Sequence, residues 1–318
     1  MSTFENEPCN RTTADFQYYL FPVVYSVVFV LGMIGNLGAL YVFICKMTNH
    51  SSSDVYIINL AVVDTIFLCT LPCRIHYHLN HNNWIFGDLA CRITGTLYFT
   101  NIYISITFLT CICIDRYIAV VHPHTYLRIK NTSLTLMVSV CVWAVAVCIM
   151  LPLLLGGPLD STSDGNTTRC FENFSFEDWT HRMQAYNICA LLFGSAIPLS
   201  ITMICYPLIL KRISKIPTPS SRRALSIICL ILAISVTCFL PYSIIHLLYY
   251  LSRLRIITNC SFLHGIYKMR RVTMAIVSCN SCLDPVLYYF ATTKFKWSFL
   301  KCLKPKRTER VYTIYTAK

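Results

Sequence analysis

The chain has 318 residues, 55% of them hydrophobic and only 13% charged, with a net charge of +13. A soluble domain carries about 25% charged residues, so this balance, with a mean hydropathy of +0.55, excludes an ordinary soluble protein and indicates an integral membrane protein. The basic residues fall in short polar gaps between apolar runs, which assigns them to membrane topology rather than to nucleic acid.

A membrane helix needs about 20 mostly apolar residues. Seven stretches meet that need: 21–45, 55–79, 92–121, 134–155, 185–212, 223–251 and 264–291. No basic segment precedes the first of them, so no cleaved signal peptide is expected and the first run serves as its own targeting signal. Span 2 places Asp64 in mid-membrane, where an ionisable residue marks function by default, and Arg74 in its outer part. Span 3 carries Asn101 and Ser105 four apart on one face. It closes on TFLTCICIDRYIAVVHP, where Asp115 and Arg116 interrupt an apolar run. Charges cost about 2.5–3.5 kcal/mol each at a membrane centre and far less near an edge. The pair is therefore either a defect in a buried helix or a charged switch at the end of a membrane helix. In span 6, Pro241 frees a backbone carbonyl and should kink the helix. Span 7 opens on Lys268, Arg270 and Arg271 and carries Asn280 and Asp284 four apart. In the tail, Cys302 lies between Lys301 and Lys304, a setting for palmitoylation. No repeat or long linker divides the chain, so 1–318 reads as one domain: an N-terminal segment 1–20, a bundle 21–291 and a tail 292–318.

An odd number of spans puts the two ends on opposite sides. With the N-terminus outside, 17 of the 27 Lys and Arg residues fall inside, the sign the positive-inside rule requires. The sequons at Asn10, Asn166, Asn173 and Asn259 then lie outside as glycosylation acceptors, and those at Asn49 and Asn131 lie inside. Of 18 cysteines, most sit in apolar runs as small hydrophobes. Cys9, Cys91, Cys170 and Cys260 lie in outer segments, where disulfides form. Four cysteines allow three pairings, and the sequence alone does not choose among them.

The motifs now carry a resemblance. Gly35-Asn36 in span 1, Leu60-Ala-Val-Val-Asp64 in span 2, Asp115-Arg116-Tyr117 in span 3 and Trp143 in span 4 stand in order. Pro198 with Tyr206 follows in span 5, then Cys238-Phe-Leu-Pro241 and Asp284-Pro285-Val-Leu-Tyr288 in spans 6 and 7. Over essentially its full length the chain resembles the rhodopsin-like (class A) G-protein-coupled receptors. The resemblance implies an all-α membrane protein: a seven-helix bundle with a short amphipathic eighth helix. It implies a multi-pass plasma-membrane receptor with an extracellular N-terminus. Its partners would be a heterotrimeric G protein, arrestin, membrane lipids and a small extracellular ligand. It gives Asp115 the role of holding Arg116 at rest until span 6 swings out, with Tyr117, Tyr206, Phe239, Pro241, Pro285 and Tyr288 in the switch. It pairs Cys91 with Cys170 and Cys9 with Cys260. It requires no cofactor, although a sodium ion fits Asp64, Asn101, Ser105, Asn280 and Asp284. These are the oxygen-bearing groups a hard cation takes; a water-filled network without the ion is the alternative. Asp at 284 and Phe at 239, where the family often has Asn and Trp, resemble the branch of nucleotide, lysolipid, protease-activated and proton-sensing receptors.

The ligand follows from the outer charges. No acidic residue stands in the outer part of span 3, which reads GTLYFTN from Gly95 to Asn101, so an amine is not expected. Arg74, His246, Lys268, Arg270 and Arg271 would bind an anion, arginine being suited to phosphate through its fork. The alternative pairs the arginines, Arg253 and Arg255 above all, with Glu172, Glu177 or Asp178. Leu71-Pro-Cys-Arg-Ile-His-Tyr, Thr100-Asn-Ile-Tyr and Cys170-Phe-Glu-Asn-Phe resemble the non-Edg lysophosphatidic acid receptors, implying an anionic lysophospholipid. Half of the nucleotide receptors' basic pattern is missing, with Ser243 and His246 at one pair and Arg271 and Met274 at the other. The outer histidines, His76, His78, His81, His181, His246 and His264, give a proton sensor as a further alternative. A transporter would show inverted repeats, and an enzyme a nucleophile and base at workable spacing; neither is present.

Overall fold

The computed structural model describes residues 14–46, 51–129, 131–155, 160–163, 167–172, 179–180, 183–215 and 219–291. The fold is a bundle of seven helical spans, and each covers the apolar run that predicted it. Span 1 is α1 (Gln17–Tyr41), ending in a π-helical turn, Val42–Lys46. Span 2 is α2 (Ser52–Leu79) and span 3 is α3 (Gly87–Val121). A short helix α4 (Pro123–Ile129) leads to span 4, α5 (Thr132–Leu155). Span 5 comprises α6 (Gln184–Leu191), a π turn and α7 (Ile197–Lys215). Span 6 comprises α8 (Pro219–Ile234), a π turn and α9 (Leu240–Arg253). Span 7 comprises α10 (Cys260–Ser278) and α11 (Asn280–Ala291).

Two helix starts overrun the predicted boundaries because polar residues cap them. Ser51 accepts from the Asp54 amide while Asp54 accepts from the Ser51 amide at 2.7 Å, a capping box. Asn259 accepts from the Phe262 amide at 3.1 Å and starts α10.

Proline chemistry shapes three spans. Each proline removes the donor to the carbonyl four residues back. In spans 5 and 6 the preceding turn widens to π form, Leu192–Ala196 before Pro198 and Ser235–Phe239 before Pro241. The irregularity expected at Pro241 therefore falls in the turn ahead of it. In span 7, Pro285 frees the Ser281 carbonyl, and Asn36 of α1 donates to it at 2.8 Å. The close approach this needs is supplied by Gly35, where an added Cβ would lie 2.5 Å from the Pro285 ring.

Six spans are long and apolar enough to cross a membrane by length and composition among the described residues; span 7 is not one of them. It breaks at Cys279, and its outer half carries three cations.

Two elements were not expected. α4 is one. The other is a hairpin in the second outer loop, β1 (Asp160–Ser163) paired antiparallel with β2 (Thr167–Cys170), with Asp160 opposite Cys170. The hairpin hangs from the first outer loop: Trp84 N–H donates to the Thr168 carbonyl at 2.7 Å, and Thr168 N–H to Asn83 Oδ1 at 3.0 Å. The Cys91–Cys170 disulfide closes the attachment, with Cα atoms 5.6 Å apart. Cys260 is disulfide-bonded too; its expected partner Cys9 lies outside the described residues, as do Asn10, Asn166, Asn173, Cys302 and the expected eighth helix.

Candidate functional site

Three polar layers cross the apolar bundle. At the inner end of α3, Arg116 Nε donates to Asp115 Oδ2 at 3.1 Å, and a second guanidinium nitrogen contacts both that carboxylate and Ser53 Oγ. Ser53 also donates to Asp115. Tyr126 of α4 lies against the pair with its hydroxyl toward Arg116; burial, with the Asp115 charge adding to it, pushes the phenol up from its ordinary value. Tyr117 stays at the rim beside His122. On the facing helices, Tyr206 of α7 contacts Cys229 of α8, and the buried Tyr288 hydroxyl donates to Asn36 at 3.2 Å. Tyr206 and Tyr288 are thus held by different partners.

The middle layer surrounds Asp64, which is fully buried. Its Oδ1 accepts from Asn101 at 2.9 Å and from Ser281 at 2.7 Å. Asn101 also lies 3.4 Å from Ser105. Asp284 is a neighbour and equally buried. Asp64 Oδ2, both Asp284 oxygens and Asn280 Nδ2 complete no hydrogen bond among the described residues. Two adjacent carboxylates in a low-dielectric interior cannot both stay ionised without a cation or a proton, and this set of open oxygens fits a hard cation. Phe239, also buried, closes the π turn of span 6.

The outer layer holds the cations, and the structure sorts them. Arg271 is spoken for: its Nη1 meets Glu172 Oε1 at 2.9 Å, and Nη2 donates to Tyr267 at 2.8 Å. Glu172 thus pairs with Arg271, while Arg253 donates to Tyr249 at 3.0 Å. Glu177 and Asp178 lie outside the described residues. Burial opposes the charge on Glu172, but the Arg271 guanidinium outweighs it and holds the carboxyl below its ordinary value. Arg74 lies 4.5 Å over the Tyr98 ring and donates to the Thr94 carbonyl at 3.0 Å; its Nε is buried without a partner among the described residues. Arg270 lies 3.8 Å over the Tyr249 ring and acts electrostatically on Tyr98. Neither Arg74 nor Arg270 meets a carboxylate among the described residues. Lys268 is exposed and stands apart. His246 is buried and stacks on Tyr242.

Among the described residues, the outer histidines do not gather. His78 is buried against Phe21 and bonds Asn82, His76 bonds Asn80, His81 packs on Tyr18 and His264 reaches the Cys260 carbonyl. His181 lies outside the described residues.

Residues 35–288 match the family model described as 7 transmembrane receptor (rhodopsin family). The chain belongs to this family. The receptor is 39% identical to human lysophosphatidic acid receptor 4 over 90% of its own length and 78% of that protein's. It is 36% identical to mouse lysophosphatidic acid receptor 6 over 87% and 82% of the two chains. It is 33% identical to a purinoceptor of Gallus gallus over 91% and 80%. It is accordingly a plasma-membrane receptor that signals through heterotrimeric G proteins in response to a small extracellular ligand, and not an enzyme.

Several residues of the receptor's three layers escaped sequence reasoning. Ser53, Tyr126 and Ser281 are ordinary polar residues whose roles exist only once helices meet. Ser281 could have been found, since it adjoins Asn280 three residues before Asp284. Tyr98 could also have been found, because it stands in span 3 where an amine receptor would place its acid.

Proposed function

We propose that the receptor binds an anionic lysophospholipid from outside the cell, with its N-terminus extracellular, and signals by outward movement of span 6. The observation that carries this reading is the sorting of the outer arginines. Arg271 is neutralised by Glu172, while Arg74, over the Tyr98 ring, and Arg270, over the Tyr249 ring, meet no carboxylate among the described residues. Two such cations in the outer layer suit a phosphate monoester. The similarity to proteins named lysophosphatidic acid receptors supports the lipid. A nucleotide is the second reading, supported by the similarity to a purinoceptor and by the same phosphate chemistry.

Inside the bundle, Asp64, Ser105 and Asp284 would hold a sodium ion, with Asn101 and Asn280 beside it. The ion would supply the positive charge that two buried carboxylates lack. At the inner end Asp115 and Ser53 hold Arg116, and its release would open the G-protein surface; arrestin would use the same opening.

The test is G-protein dissociation in cells lacking related receptors. Lysophosphatidic acid, lysophosphatidylserine, uridine and adenine nucleotides and a pH step from about 7.8 to 6.4, the range over which histidine titrates, are compared. A lysophospholipid response lost in Arg74→Gln and Arg270→Gln is expected. A nucleotide response alone would replace the lipid, and a pH response alone would remove the anion site.

A further inference from the structure

Below the cations, between spans 3, 5 and 6, lies a set of polar side chains that no described residue satisfies. His246 is 4% exposed, and neither of its ring nitrogens has a hydrogen-bond partner among the described residues. Tyr242, 2% exposed, stacks on it with ring centroids 5.6 Å apart and planes within 8°. Tyr103 and Tyr242 face each other without closing a hydrogen bond, and the buried Tyr186 hydroxyl, whose ring lies 6.4 Å from that of Tyr103, is likewise unsatisfied. The arrangement is built into the helices. Gly194, in the π turn of span 5, leaves room for the Tyr103 ring, with which an added Cβ would collide.

An unpaired polar group is costly when buried, so this set is tolerated because something else completes it. Arg270 acts electrostatically on Tyr103, Tyr242 and His246. A neutral imidazole offers one donor and one acceptor, and each phenol can do either. We propose that His246, Tyr242 and Tyr103 form a hydrogen-bonding subsite that reads the glycerol hydroxyl and ester carbonyl adjoining the ligand's phosphate. This rests on the lysophospholipid reading and goes beyond it. It assigns His246 to hydrogen bonding rather than to charge, and it makes the receptor selective for an acylglycerol phosphate over a phosphate whose backbone carries an ammonium.

The test compares three probes on the full-length receptor by G-protein dissociation, with surface expression measured for each variant. The probes are 1-oleoyl lysophosphatidic acid, oleoyl propanediol phosphate, which lacks the secondary hydroxyl, and sphingosine 1-phosphate. On the native receptor the loss of the hydroxyl is expected to cost about tenfold in potency, the worth of one well-made hydrogen bond with its partner left unpaired, and sphingosine 1-phosphate more. In His246→Phe and in the gentler Tyr242→Phe, the two glycerol-type probes should become equipotent while both still depend on Arg74. Equal potency on the native receptor, the result if water alone satisfies these groups, overturns the subsite and leaves the lysophospholipid reading standing. Discrimination that survives both substitutions also overturns it. If no lysophospholipid activates the native receptor, the functional reading falls first and the subsite with it.

Discussion

The Glu172–Arg271 pair can be tested by a double-mutant cycle. Both side chains are nearly buried, at 14% and 9% exposure, and the bond between them is charge-assisted at 2.9 Å. Arg169 lies 3.7 Å from the other carboxylate oxygen and substitutes poorly for Arg271. A hydrogen bond between charged groups at such burial contributes about 1.5–3 kcal/mol, and removing one partner strands the other. Glu172→Gln, Arg271→Gln and the double variant would be purified and melted without ligand. At roughly 2 °C per kcal/mol for a chain of this size, the single losses should exceed additivity by about 3–6 °C. Their sum equalling the double loss within about 1 °C, that is within the error of additivity for uncoupled sites, would refute the pairing. The pH dependence follows from the sign of the shift. A carboxyl held below its ordinary value stabilises above the unfolded pKa and loses that contribution only as pH falls through the folded value. The Glu172→Gln deficit should therefore be equal at about pH 7.5 and about pH 5.5, both above the carboxylate range, which removes this group as a sensor of mild acid.

Other outcomes follow from the same geometry. Gly95→Ala drives a Cβ into the Phe171 ring, which the adjoining disulfide keeps from retreating. Overpacking of this kind costs about 1–3 kcal/mol, so ligand potency and melting temperature should both fall. Asp115→Asn removes the charge that holds Arg116 and should raise ligand-independent G-protein activation, read in the same dissociation assay. Asp64→Asn should abolish any difference in agonist affinity between sodium and N-methylglucamine buffers, measured by competition binding.

The bundle was legible because each span obeys one strong rule, a run of apolar residues of membrane length. The motif residues were legible because charge and proline are rare there. What could not be read was pairing. Nothing local to Asp284 announces Ser281 as the residue that reaches Asp64, and nothing in Glu172 says that it will choose Arg271 over Arg253. The β1–β2 hairpin was missed because its residues are polar and its hydrogen bonds to Asn83 and Trp84 come from a distant loop. The π turns were missed because proline predicts a missing donor but not where the backbone will absorb it.

The composition of the seventh span has a consequence for what holds it in place. Among the described residues, six spans are long and apolar enough to cross a membrane by length and composition. The seventh holds Lys268, Arg270 and Arg271 in its outer half and Asp284 in its inner half, and each charge opposes entry into lipid. Its polar groups find their partners on helices synthesised earlier: Asn36 on the first, Asp64 on the second, Tyr98 on the third. The last span therefore owes more of its place in the bilayer to its neighbours than to its own apolar length, and substitutions on the first three helices that remove these partners are expected to loosen it first.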